Sequence, residues 1–61
     1  ANLDIGQTLQ VPAWEGDGTA RVSYRGSAWN VQHRGDAAPA PGAHVIVAVQ
    51  GTRLIVSPIG R

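Results

Sequence analysis

The chain has no cysteine, no methionine, no phenylalanine and no lysine, and its five basic residues are all arginine. Without cysteine there is neither a disulfide framework nor a thiolate metal cluster, the usual supports of domains this small. Two isolated histidines, His33 and His44, cannot fill a tetrahedral zinc site by themselves. No run approaches the roughly 18 apolar residues needed to cross a bilayer, and no charged stretch leads into an apolar signal-peptide core. Charge of one sign is also scarce. Five arginines against four carboxylates leave +1, far from the balance of a dedicated nucleic-acid binder. The chain begins at Ala1 and contains no methionine, as expected of a piece of a longer protein or a processed product.

Sixty-one residues allow one domain, which must close by packing and strand pairing. Eight glycines and four prolines interrupt nearly every stretch that would hold three helical turns. β-Branched and aromatic residues instead alternate with polar ones in short runs, which is a strand pattern. It predicts five strands, approximately Gln7 to Ala13, Thr19 to Arg25, Ala28 to Arg34, Ala43 to Gln50 and Thr52 to Pro58. Residues 1–6 read as a linker or the end of a membrane-proximal segment, 7–58 as the domain and 59–61 as a tail.

Gly26-Ser27 reads as a two-residue hairpin turn with glycine first. That register sets Tyr24 opposite Trp29, Val22 opposite Val31 and Ala20 opposite His33 on one face, with Arg21, Arg25 and Arg34 on the other. A one-residue slip would destroy this sorting. The second hairpin turns at Gln50-Gly51 or Gly51-Thr52, and either choice groups Val45, Val47, Val49, Leu54 and Val56 on one face. The other face then carries Ile46, Ala48 and Ile55. That face is either a docking surface or one covered by the Pro-rich segment 35–42 or by Leu3 and Ile5. The Pro-rich segment is long enough to cross an open barrel end. Hairpin, hairpin, long crossover, hairpin is the order of a small Greek-key barrel of the oligonucleotide/oligosaccharide-binding (OB) type, with an SH3-like barrel as the alternative.

The residues Gly6-Gln7-Thr8-Leu9, Trp14, Gly16-Asp17-Gly18 and Arg21-Val22-Ser23-Tyr24-Arg25-Gly26-Ser27-Ala28-Trp29 form a recognisable series. It continues through Pro41-Gly42, Val45-Ile46-Val47, Gly51-Thr52-Arg53-Leu54-Ile55-Val56 and Pro58. The series resembles the C-terminal domain of NfeD-like membrane proteins, in which "RG..W" follows the first hairpin and "PG..V.V....G..L.V.P" closes the chain. The resemblance runs from about Gly6 to Pro58. It implies a five-stranded OB barrel, without catalytic residues or cofactor, carried behind transmembrane helices in a bacterial inner membrane and facing the cytoplasm. It also implies an interaction module that works with stomatin/prohibitin/flotillin-like (SPFH) proteins, or with itself, in membrane organisation or quality control. A longer class of the family adds a serine protease domain, and that chemistry carries over to no residue of this chain.

Among the polar residues, Ser27 falls in a turn, Ser23 lies on the face opposite His33, and Ser57 and His44 sit near opposite strand ends without an acidic neighbour. No nucleophile, base and orienting group converge. Asp4, Glu15, Asp17 and Asp36 occupy terminal or turn segments, where carboxylates cap and solvate. His33 reads as a rim histidine on the apolar face and His44 as solvated, and a metal shared between them lacks a third ligand. Trp14, at a strand end, either caps the barrel or faces a partner. Partner binding is thus assigned to Trp14, Ile46, Ala48 and Ile55. Arg21, Arg25 and Arg34 are the residues that would line a single-stranded nucleic-acid groove, one that carries charge but no stacking aromatic.

Overall fold

The computed structural model describes residues 3–59; the ends of the predicted linker and tail, 1–2 and 60–61, lie outside the described residues. Five strands form one curved sheet: β1 (Thr8–Val11), β2 (Thr19–Tyr24), β3 (Ser27–His33), β4 (Gly42–Gln50) and β5 (Arg53–Pro58). Their order is β1-β4-β5-β3-β2, with β3 and β5 parallel and every other pair antiparallel. This is the OB-type Greek key, a nearly closed barrel. Where β1 and β2 approach each other there is no strand ladder, and the Glu15 N–H donates to the Thr19 carbonyl at 2.7 Å.

Each strand ends for a local reason. β1 stops at Val11, two residues short of the predicted end, because Pro12 has no N–H to donate to a ladder. The first hairpin turns at Arg25-Gly26, one residue earlier than the sequence pattern suggests. Both residues have positive φ, 52° and 83°, as a type I′ turn requires, and that turn follows the natural strand twist. Tyr24 therefore pairs with Ser27, Val22 with Trp29 and Ala20 with Val31. The observed register differs from the predicted one by an even number, so the faces are unchanged. The Tyr24 and Trp29 rings become diagonal neighbours and still meet edge to face at 6.5 Å.

The second hairpin turns at Gly51-Thr52, since Gln50 pairs with Arg53. Its register then breaks: Ala48 pairs with Ile55 but Ile46 with Val56, leaving Val47 as the extra residue of a β-bulge. The bulge reverses the face of β4 below it, which corrects the expected face assignment. Ile46 is 0% exposed and His44 2%, while Val45 and Val47 are only half-buried. Ile55 is also buried, at 6%, and Ala48 is half-buried. Two members of the expected docking face, Ile46 and Ile55, are therefore inaccessible. The core joins Leu9, Val11, Val22, Val31, Ile46, Leu54 and Val56, with Trp14, Trp29 and Val49 packed against it.

The segment before β1 packs on the barrel. Its Gly6 N–H donates to the Ile46 carbonyl at 2.8 Å, and the Tyr24 hydroxyl donates to Asp4 at 3.0 Å. Asp4 also pairs with Arg25 across 3.5 Å, so the opening turn is tied to the tip of the first hairpin.

Because Ile46 has no exposed surface, its truncation to alanine should cost about 2–5 kcal/mol, comparable with the whole stability of a domain this small. Ile46→Val should lose about 1 kcal/mol and keep a cooperative transition. Urea denaturation followed by tryptophan fluorescence measures both; an unaffected midpoint for Ile46→Ala would show that the bulge is misplaced.

Candidate functional site

Two surfaces gather chemistry-bearing side chains. The first lies on the outside of β2, β3 and β5. Arg21 pairs with Asn30 across the antiparallel ladder, and Asn30 pairs with Arg53 across the parallel one, which sets the three side by side in one row. The Arg21 guanidinium donates to Asn30 Oδ1 at 2.9 Å and that of Arg53 to Gln32 Oε1 at 2.7 Å. Both arginines are therefore positioned by neutral amides. Two shallow grooves meet at Arg21 and Asn30. One, of about 410 Å³, runs towards Asp17 and Arg53; the other, of about 350 Å³, is floored by Ala28 and the half-buried Trp29.

Asp17, at the rim of the larger groove, has local work of its own. Its Oδ1 accepts from the Thr19 hydroxyl at 2.6 Å and from the Thr19 N–H at 3.1 Å, which closes the turn before β2. The Thr19 hydroxyl, more than any other group, holds the Asp17 carboxyl below its ordinary value of 3.8, and the Thr19 N–H adds to this.

The second surface is the barrel end at which β3 finishes and β4 begins. Trp14 packs edge to face against His33 at 5.4 Å and against His44 at 5.3 Å, and the two imidazoles lie 6.1 Å apart. The indole N–H donates to the Ala40 carbonyl at 2.8 Å, anchoring the Pro-rich connection over this end. Trp14 thus caps the barrel. His44, expected in solvent, is buried, because the bulge turns its side chain inward.

The other sequence-derived candidates separate. Arg25 occupies the β2–β3 turn beside Asp4, whereas Arg34 follows the far end of β3, where its N–H donates to the Val56 carbonyl. Seven residues of β3 at about 3.3 Å each place them roughly 20 Å apart, so Arg21, Arg25 and Arg34 do not form one groove. Arg53 takes the place beside Arg21. Sequence pattern alone misses it, because only the parallel β3–β5 pairing makes Asn30 and Arg53 neighbours; the OB connectivity was the available signal. Ser57 Oγ donates to the Arg34 carbonyl at 3.3 Å, and the described residues include no group of three or more histidine, cysteine or carboxylate side chains suited to a metal.

A small OB-type barrel with grooves along the outside of β2, β3 and β5 defines a binding domain of the kind that presents a strand surface to another molecule. The family model for the NfeD-like C-terminal, partner-binding domain matches residues 1–58, and the chain belongs to that family. No curated protein and no solved structure shows significant similarity to it. Among the described residues no helix is long and apolar enough to cross a membrane.

The lowered Asp17 carboxyl makes a stability contribution that is present above pH 3.8 and lost as pH falls through the depressed value. Thr19→Val should return the Asp17 titration towards 3.8, read by carboxyl ¹³C shifts. An unmoved midpoint would show that the hydroxyl does not hold the carboxylate.

Proposed function

We propose that the domain is a non-catalytic docking module, the barrel tail of an NfeD-like membrane protein that engages an SPFH-type partner on the cytoplasmic side of a bacterial inner membrane. The observation that carries this reading is the partner-binding family match along residues 1–58. The geometry supports the outer face of β2, β3 and β5 as the surface used. There Arg21 and Arg53 are held by Asn30 and Gln32, and Arg21 lines one groove with the half-buried Trp29 and the other with Arg53. Tryptophan next to arginine is a pairing enriched in interface hot spots, and two cations held by neutral amides suit a partner carrying carboxylates. The domain's role is then to recruit or orient that partner at the membrane.

The experiment is an amide NMR titration of the ¹⁵N-labelled domain with a purified SPFH domain, alongside the Arg21→Ala/Arg53→Ala double variant. Shifts should centre on residues 28–30 and 53, and the double variant should bind at least tenfold more weakly with an unchanged melting curve. Absence of binding, or shifts confined to other faces, would overturn the reading. Equal, salt-sensitive shifts with a mixed-sequence oligonucleotide would replace it with nucleic-acid binding.

A further inference from the structure

Among the described residues, two buried side-chain nitrogens lack a hydrogen-bond partner, His33 Nε2 and His44 Nε2. Buried polar atoms are rarely left so, and two on neighbouring rings at one barrel end call for a physical cause. The state of His44 follows from its neighbour. Its Nδ1 lies 2.9 Å from the Gly42 carbonyl, which can only accept, so Nδ1 carries the proton. In the neutral ring Nε2 is then a bare lone pair, inside the protein, on a residue only 2% exposed. An imidazole held through Nδ1–H by a backbone carbonyl, with Nε2 left open, is the arrangement that orients metal-ligating histidines.

We infer that His33 and His44 form a two-nitrogen site for a soft monovalent metal ion, copper(I), beneath the Trp14 indole. Donor number decides the metal. Zinc asks for four ligands and copper(II) for a tetragonal set, and two imidazoles satisfy neither. A d¹⁰ monovalent ion is content with two nitrogens in line. The ring centres lie 6.1 Å apart with their planes at 75°, a spacing that leaves room for one ion at about 2 Å from a nitrogen of each ring. Trp14 stands 5.3–5.4 Å from both rings and packs against each of them edge to face. With no cysteine or methionine anywhere in the chain, these two rings are its principal soft-metal donors. The ion enters and leaves past Trp14, which is tethered to the connection over the barrel end by its bond to Ala40.

The test uses this chain with two probes: copper(I) under anaerobic conditions in competition with bicinchoninate, and silver(I) as a redox-inert analogue followed by imidazole ¹⁵N NMR. One equivalent should bind, moving the Nε2 resonances of both histidines and leaving His44 Nδ1 nearly in place. His33→Gln, at the half-buried position, should keep the fold and weaken binding at least tenfold. His44→Gln serves as a second variant where its melting curve shows that it folds. Unmoved Nε2 resonances in excess silver(I), or unchanged affinity in His33→Gln, would overturn the assignment and leave the pair as a cap on the core.

Discussion

The single extra residue in β4 governs most of this structure. Without the bulge at Val47 the strand would keep one face throughout, and Val49 could not point inward together with Ile46 and His44. With it, the upper part of β4 packs Val49 against Leu54 while the lower part delivers Ile46 to the centre of the core. The added bend and twist are what a short strand needs to wrap round a small barrel and pair with β1 on one side and β5 on the other. The burial of His44, and through it the cluster with Trp14 and His33, follows from the same local insertion.

This explains which parts of the fold were legible in the sequence. The first hairpin could be read because polar and apolar residues alternate from Thr19 to Arg25 and again from Trp29 to Gln32, so even the misplaced turn left these side chains on their proper faces. The second hairpin could not be read in the same way. Residues 45–49 are Val-Ile-Val-Ala-Val, apolar at every position, and period-two reasoning has nothing to hold on to there. The pattern accordingly groups Ile46, Ala48 and Ile55 on a second face, either a docking surface or a covered one, although Ile46 is among the most enclosed residues of the barrel. Trp14 was placed between two roles and takes that of cap. Arg53 was invisible to a hairpin-by-hairpin reading because its neighbour Asn30 lies on a strand 20 residues away, reached only through the parallel pairing.

The two candidate surfaces divide along the same line. The grooves on β2, β3 and β5 are built from side chains on regular strands, with Arg21 and Arg53 each fixed by an amide one strand away. Hydrogen bonds of this kind restrict both arginines before a partner arrives and reduce the side-chain freedom to be lost on binding. The Trp14 end depends instead on a long connection, held to the indole through the Ala40 carbonyl. The molecule thus pairs an outer face of regular strands with a barrel end closed by a loop.

The parallel contact between β3 and β5 also bears on how the chain reaches this state. Each hairpin closes through a two-residue loop and needs only local search, whereas His33 and Val56 meet across 23 positions and Thr8 and Val45 across 37. Neither hairpin alone encloses the core, since Val31 comes from one and Ile46 and Leu54 from the other. Loop-closure entropy must be overcome before these distant contacts can repay it, a topology that favours early hairpins and late pairing along β3 and β5. For its 61 residues the domain is therefore expected to fold more slowly than a helical domain of the same length, topology rather than size setting the pace.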